Sequence, residues 1–205
     1  MPTVIVATGN PGKLKEMQVY LGDLGWELQL KPDAIDIEET GTTFLENARL
    51  KAAGVAKALG QWAIADDSGL EVHALGGAPG IYSARYADSD SARIDRLLQE
   101  LEGKRAGQGS AEEGNSGTDR SAQFVCALAL ANPRGKIVLE TEGICPGEIL
   151  RAPRGTGGFG YDPIFYVPAL DKSFAEMSPE QKDANSHRGI AFSQLMPHLK
   201  QLALG

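Results

Sequence analysis

The sequence predicts an α/β fold, and two observations carry the prediction. Short apolar runs of strand length, Thr3–Ala7 and Trp62–Ala65, alternate with segments whose apolar residues recur at helical spacing. Each run also opens onto polar and glycine-bearing residues, Thr8–Lys13 after the first and Asp66–Gly69 after the second. The crevice beyond the strand ends is where α/β folds usually bind ligands.

Composition bounds the function classes. A chain of 205 residues can bury a sizeable core, and residues 1–205 read as a single domain. Lysine plus arginine is 20 against 27 acidic residues, a net charge of −7. A protein that wraps long nucleic acid needs broad phosphate neutralisation, so nucleic acid is not an expected partner. A small anion held by a local cluster stays compatible with that balance. Cys126 and Cys145 are far apart and outside any ligand spacing, so they read as reduced core thiols. The apolar run Val4–Ala7 is too short for a signal segment, and no run approaches membrane length. A soluble, cytoplasmic protein with no membrane partner is expected.

Thr3–Ala7 reads as a first buried strand, and Leu14, Met17, Leu21 and Leu24 mark the helix that follows. Between them Thr8-Gly9-Asn10-Pro11-Gly12-Lys13 is either a plain turn or a loop that offers backbone N–H groups to a phosphate. Lys13 falls in the first helical turn, where its charge opposes the helix dipole; a bound anion would remove the conflict. A second strand is expected near Glu27–Leu30. Glu38 and Glu39 then precede a helix over Thr42–Leu59, whose start Thr43 and Glu46 fix as a capping box. Phe44, Ala48, Val55 and Leu59 make its apolar face; Asn47 and Lys51, one turn apart, lie on another, which reads first as a solvated face.

Trp62–Ala65 is then a short strand that stops at Asp66-Asp67-Ser68-Gly69. Those four residues read alone as a turn. Asp66 and Asp67 could not both look into one pocket while extended, because successive strand side chains point to opposite faces. Gly76–Gly80 is too glycine-rich for regular structure. Ile94, Leu97, Leu98 and Leu101 define a third helix opened by Asp88–Ser91. The segment at about 103–119 has almost nothing to bury and reads as a flexible surface loop. Gln123–Ala131 and Lys136–Glu142 are strands joined by Asn132-Pro133-Arg134-Gly135, a type I turn and hence a hairpin. In Gly155–Asp162, Phe159 among glycines is either a stacking platform for a nucleobase or a core residue beside a tight bend. Ser186-His187-Arg188-Gly189 leads into a last helix through Leu195, Leu199 and Leu202, which Pro197 should kink or restart.

Several of these blocks together resemble the inosine triphosphate pyrophosphatase, or Ham1-like, family. They are Thr8-Gly9-Asn10 with Lys13, Glu38–Gly41, Phe44 with Glu46-Asn47-Ala48, Asp66–Gly69, Gly76–Arg85, Gly155–Phe165 and Ser186–Gly189. The match covers nearly the whole chain in order. It departs at Lys104–Asp119, which is longer and richer in glycine than the family pattern. The resemblance implies a long twisted mixed sheet flanked by helices, and two lobes with the active-site cleft between them. It implies hydrolysis of ITP, dITP and XTP to monophosphate and pyrophosphate with Mg2+, in a homodimer. Residue by residue, it assigns Thr8, Gly9, Asn10, Pro11, Gly12 and Lys13 to the triphosphate, with Lys51 assisting. Glu39 and Asp67 are implied metal ligands, and Asp67 the proton acceptor. Ser68, Phe159, Gly160, Tyr161, Asp162, Lys182, His187 and Arg188 complete the implied nucleotide site.

That chemistry suits the residue types. Magnesium is usually held by one or two carboxylates together with substrate phosphates and waters. A carboxylate bound directly to the ion is a weakened base, so Asp67 either works on metal-bound water or shares the two duties with Asp66 or Glu39. Arg188 can only donate hydrogen bonds and His187 donates through at least one nitrogen, which suits a 6-oxo purine edge. Two alternatives are an enzyme for another nucleotide, such as a pyrimidine triphosphate, and a non-catalytic nucleotide or RNA binder.

Overall fold

The computed structural model describes residues 3–107 and 119–202. The strands are β1 (Thr3–Val6), β2 (Glu27–Leu30), β3 (Trp62–Val72), β4 (Ser121–Ala131), β5 (Ile137–Ile149), β6 (Phe165–Val167) and β7 (Lys172–Ser173). The helices are α1 (Pro11–Leu21), α2 (Phe44–Leu59), α3 (Asp90–Gly107), α4 (Pro179–Asn185) and α5 (His187–Gln201). The strands form one mixed sheet in the order β2-β1-β3-β4-β5-β6-β7. β1 pairs in parallel with both β2 and β3, whereas β6 pairs antiparallel with β5 and β7. The α/β class read from the alternation of elements is therefore the observed one.

Contacts divide the chain into two compact units. The first comprises Met1–Ser68, Cys126–Ile144 and His187–Gly205. Its core is built from β1, β3 and β4 through Val4, Val6, Ile64, Cys126, Leu128 and Leu130. Met17 and Leu21 of α1, with Phe192, Leu195 and Leu199 of α5, complete that core. Tyr20 stacks on Phe192 at 4.6 Å between ring centroids, tying α1 to α5. The helix runs through Pro197 as one element. The second unit comprises Gly69–Val125 and Cys145–Ser186. Phe124, Phe165 and Phe174 form its aromatic centre, with centroids 4.7 to 5.6 Å apart. Cys126 and Cys145 are both free and buried, as expected of core thiols.

Four elements differ from the sequence reading. β3 does not stop at Ala65: it runs without a break to Val72, so Asp66-Asp67-Ser68-Gly69 lies inside a strand and not in a turn. The low strand propensity of aspartate is overridden by cations that receive both carboxylates. β5 continues past Glu142 to Ile149. α3 extends through Gly107, so residues 103–107 are helical, and the rest of the segment read as a loop, 108–118, lies outside the described residues. The capping box at α2 is half formed: Thr43 accepts from the Glu46 amide, but Glu46 turns to the amide and hydroxyl of Thr42. Among the described residues no helix is long and apolar enough to cross a membrane.

Candidate active site

β1 delivers the chain to α1 through a tight, largely exposed turn. The Asn10 side chain accepts from the Gly12 amide at 2.8 Å, Thr8 Oγ1 accepts from the Asn10 amide at 3.1 Å, and Pro11 opens the helix. Lys13, in the first turn, forms an ion pair with Asp66. The anion that a lysine in this position calls for is thus supplied by the protein itself.

Asp66 and Asp67 leave β3 on opposite sides and enter different charge clusters. Asp66 is fully buried. It accepts from Lys13, from Arg188 Nε at 2.9 Å, from Ser68 Oγ at 3.1 Å and from the Cys126 thiol at 3.1 Å. Burial alone would raise its carboxyl, but Arg188 and Lys13 outweigh that and hold it well below the ordinary range. Arg188 is also buried; its Nη2 reaches Ser68 Oγ at 3.1 Å and its Nη1 pairs with Glu16. Three guanidinium nitrogens already donate to protein acceptors. Cys126 is pushed well above the usual thiol range by burial and by the Asp66 charge, so it stays a thiol that donates.

Asp67 belongs to the second cluster. Lys51 Nζ lies 2.6 Å from Asp67 Oδ1 and 2.9 Å from Glu39 Oε1. Burial raises the Asp67 carboxyl and Glu39 raises it further; Lys51 pulls it back without cancelling the rise. Lys51 itself is largely withdrawn from solvent, and its charged form is favoured by the two carboxylates over the burial that opposes it. The face of α2 that carries Asn47 and Lys51 is therefore not a solvated one. Asn47 is buried, and its side-chain oxygen accepts from the Gly41 amide at 2.8 Å, which anchors the loop two residues beyond Glu39. Asn47 Nδ2 has no hydrogen-bond partner among the described residues. A side chain at Gly41 would press on Asn47 and Glu46 at 2.7 Å, so the loop closes only on glycine.

The aromatic loop sits in the second unit and is held from several sides. Phe159 is 44% exposed, so it is not a core residue beside a tight bend. Its amide donates to Asp162 Oδ2 at 2.8 Å, and the same oxygen receives Lys182 Nζ at 2.6 Å. Lys182 Nζ also lies 4.7 Å from the centre of the Phe159 ring. Tyr161 is buried and donates to the Ser83 carbonyl at 3.0 Å. Gly160 donates to Asp90 Oδ2 at 2.7 Å. His187 is buried at the start of α5, where Gly143 leaves no room for a Cβ against the His187 carbonyl.

A model of the Ham1 family matches residues 4–198. The chain belongs to the Ham1 family. It is 58% identical over 196 residues to a dITP/XTP pyrophosphatase of a Nostoc species, covering 96% of this chain and 93% of that one. A dITP/XTP pyrophosphatase of a Synechocystis species matches at the same identity, with 96% and 94% covered. The structure of a HAM1 protein from Coxiella burnetii superposes with a TM-score of 0.85 at 43% identity, over 98% of this chain and all of that one. That of the Staphylococcus aureus Ham1 protein gives 0.81 at 45% identity, over 97% and 98%.

Within this Ham1 chain, Lys13, Ser68 and Arg188 join one cluster through Asp66, while Lys51, Glu39 and Asp67 make another. Both lie in the first unit; Phe159–Asp162 and Lys182 lie in the second. Residues that the sequence reading left out of the site are Glu16, Cys126 and Asp90. Glu16 had a usable signal, since it sits three residues after Lys13 on the same helix face. Among the described residues no group of three or more His, Cys, Asp or Glu could hold a metal ion. Glu39 and Asp67 nevertheless meet at one point, the Lys51 ammonium. Two carboxylates with no nitrogen or sulfur donor suit a hard ion that takes its remaining ligands from water and phosphate.

Proposed function

We propose that this chain hydrolyses the non-canonical purine nucleoside triphosphates ITP, dITP and XTP to the monophosphate and pyrophosphate, removing them from the nucleotide pool. The observation that carries this reading is the meeting of Glu39 and Asp67 at Lys51, in a chain so similar to proteins named dITP/XTP pyrophosphatase. Water adds to the α-phosphorus, the bond to the β-phosphate oxygen breaks, and pyrophosphate leaves.

Glu39 and Asp67 would hold the divalent cation, Mg2+ in this reading. When bound, the ion supplies positive charge to the phosphate oxygens. Asp67 takes the proton of the attacking water. Thr8, Gly9, Asn10, Pro11 and Gly12 present the β1–α1 turn to the phosphates. Lys13 and Lys51 meet the negative charge that develops in the transition state. Asp66 holds Lys13 and Arg188 in place, and Ser68 shares in that arrangement. Phe159 stacks on the base, with Gly160, Tyr161, Asp162 and Lys182 around it, and His187 serves the nucleotide as well. Arg188 supports the nucleotide site through its carboxylate partners. The working form is a cytoplasmic homodimer.

The test is a panel of purine and pyrimidine triphosphates with Mg2+, reading products by chromatography. ITP, dITP and XTP should give monophosphate and pyrophosphate far faster than ATP or GTP, and a chelator should abolish turnover. Release of diphosphate and orthophosphate, or equal rates on ATP, would overturn the proposal.

A further inference from the structure

The amides of Phe159 and Gly160 are consecutive, and each donates to a carboxylate. Phe159 gives its hydrogen to Asp162, inside the loop. Gly160 gives its hydrogen to Asp90, seventy residues away at the first turn of α3. The second bond ties the platform to a helix, while the first only shapes the loop. Asp90 is itself oriented: Arg93 Nη1 donates to its other oxygen at 2.7 Å, and Arg93 Nε donates to the Ala87 carbonyl at 3.0 Å. Gly160 has φ of +61°, a conformation that L side chains rarely adopt and glycine adopts freely. On the far side Gly157 donates to the Ala175 carbonyl at 3.1 Å.

We propose that Asp90 is a positioning residue for the nucleobase: its carboxylate on the Gly160 amide fixes the attitude of the Phe159 ring and so sets affinity for the base. The inference rests on the reading of Phe159 as the stacking platform. A ring fixed before the ligand arrives binds with less ordering cost than one that must be fixed on binding. The bond is charge-assisted, so its loss falls in the range that changes affinity about tenfold. Asp90 also places a negative charge at the N-terminus of α3, where a purely structural role would change melting temperature alone.

The experiment compares Asp90→Ala, Asp90→Asn and Phe159→Ala in the full chain. It reads kcat and KM for ITP, inhibition by inosine monophosphate, and inhibition by inorganic pyrophosphate. Asp90→Ala should raise KM and weaken inosine monophosphate about tenfold, with kcat and pyrophosphate inhibition within about twofold of the parent. Asp90→Asn keeps an acceptor for Gly160 and should recover most of that loss. Three results overturn the proposal while sparing the platform: an unchanged KM in Asp90→Ala when Phe159→Ala raises it, a parallel loss of pyrophosphate inhibition, or no recovery in Asp90→Asn. An unchanged KM in Phe159→Ala removes the platform reading itself, and the proposal with it.

Discussion

Asp66 and Asp67 are neighbours in one unbroken strand, yet they hold different cations: Lys13 and Arg188 for the first, Lys51 for the second. The pleat of β3 separates them, and their environments then move their carboxyls in opposite directions, Asp66 down and Asp67 up. Titratable neighbours pushed apart in this way divide the labour of a site. Asp66 stays ionised and organises cations, while Asp67 is the carboxylate that the proposed mechanism uses.

Asp67→Asn tests that division. The amide still fits the strand and still accepts from Lys51, but it neither takes a proton nor binds a cation well. Turnover of ITP should fall by about two or more orders of magnitude, with little change in melting temperature. Near-normal turnover at saturating Mg2+ would remove Asp67 from the chemistry.

Breaking the other cluster should cost stability. Arg188 and Asp66 are both buried, and removing one leaves the other partly uncompensated. Arg188→Ala should therefore destabilise the fold by about 3–5 kcal/mol in denaturant titrations. The pair should also be non-additive: the double variant with Asp66→Asn should lose clearly less than the two single losses combined.

The same pair makes stability depend on acid. A carboxyl depressed in the native state binds its proton more tightly when unfolded, so its contribution is complete above its ordinary value near 3.8 and declines as the pH drops towards the native one. Between about pH 4 and pH 2 the parent should lose stability more steeply than Asp66→Asn. Parallel curves for the two proteins would contradict the depressed carboxyl.

The hydrophobic pattern carried the order of elements, and it failed where polar side chains are paired across the fold. Glu27–Leu30 and the 132–135 turn were legible because local spacing and turn chemistry decide them. β3 was read as ending at Ala65 because Asp66 and Asp67 look like turn residues until Lys13, Arg188 and Lys51 are known to meet them. The face of Asn47 and Lys51 was read as solvated for the same reason. The exposure of Phe159 was only one of two alternatives, because glycines beside it suit an open loop and a tight bend over a core residue equally. Asp90 was visible only as a helix opener, since its partner amide lies seventy residues on.

Glu39→Gln addresses the cation. The amide keeps the shape of the side chain and loses its charge, so the meeting point at Lys51 retains one carboxylate. The Mg2+ concentration for half-maximal turnover should rise on the order of tenfold or more, while the rate at saturating Mg2+ falls less. An unchanged Mg2+ requirement would move the cation elsewhere.

Gly158 and Gly160 offer a paired test of how the loop is built. Both have positive φ, +74° and +61°, so alanine at either meets the same backbone penalty, about 1–2 kcal/mol. Their surroundings differ. A Cβ at Gly160 has nothing within 4 Å, whereas one at Gly158 would overlap the Asp162 carboxylate. Asp162 would have to move, releasing the Phe159 amide and Lys182 together. Gly160→Ala should therefore lower stability modestly and leave ITP turnover near the parent. Gly158→Ala should lower stability further and raise KM for ITP at least tenfold, because it frees two of the groups that hold the ring. Crystal structures or melting curves that put the two variants on an equal footing would mean that Asp162 yields without consequence, and that the ring is held by something other than its carboxylate.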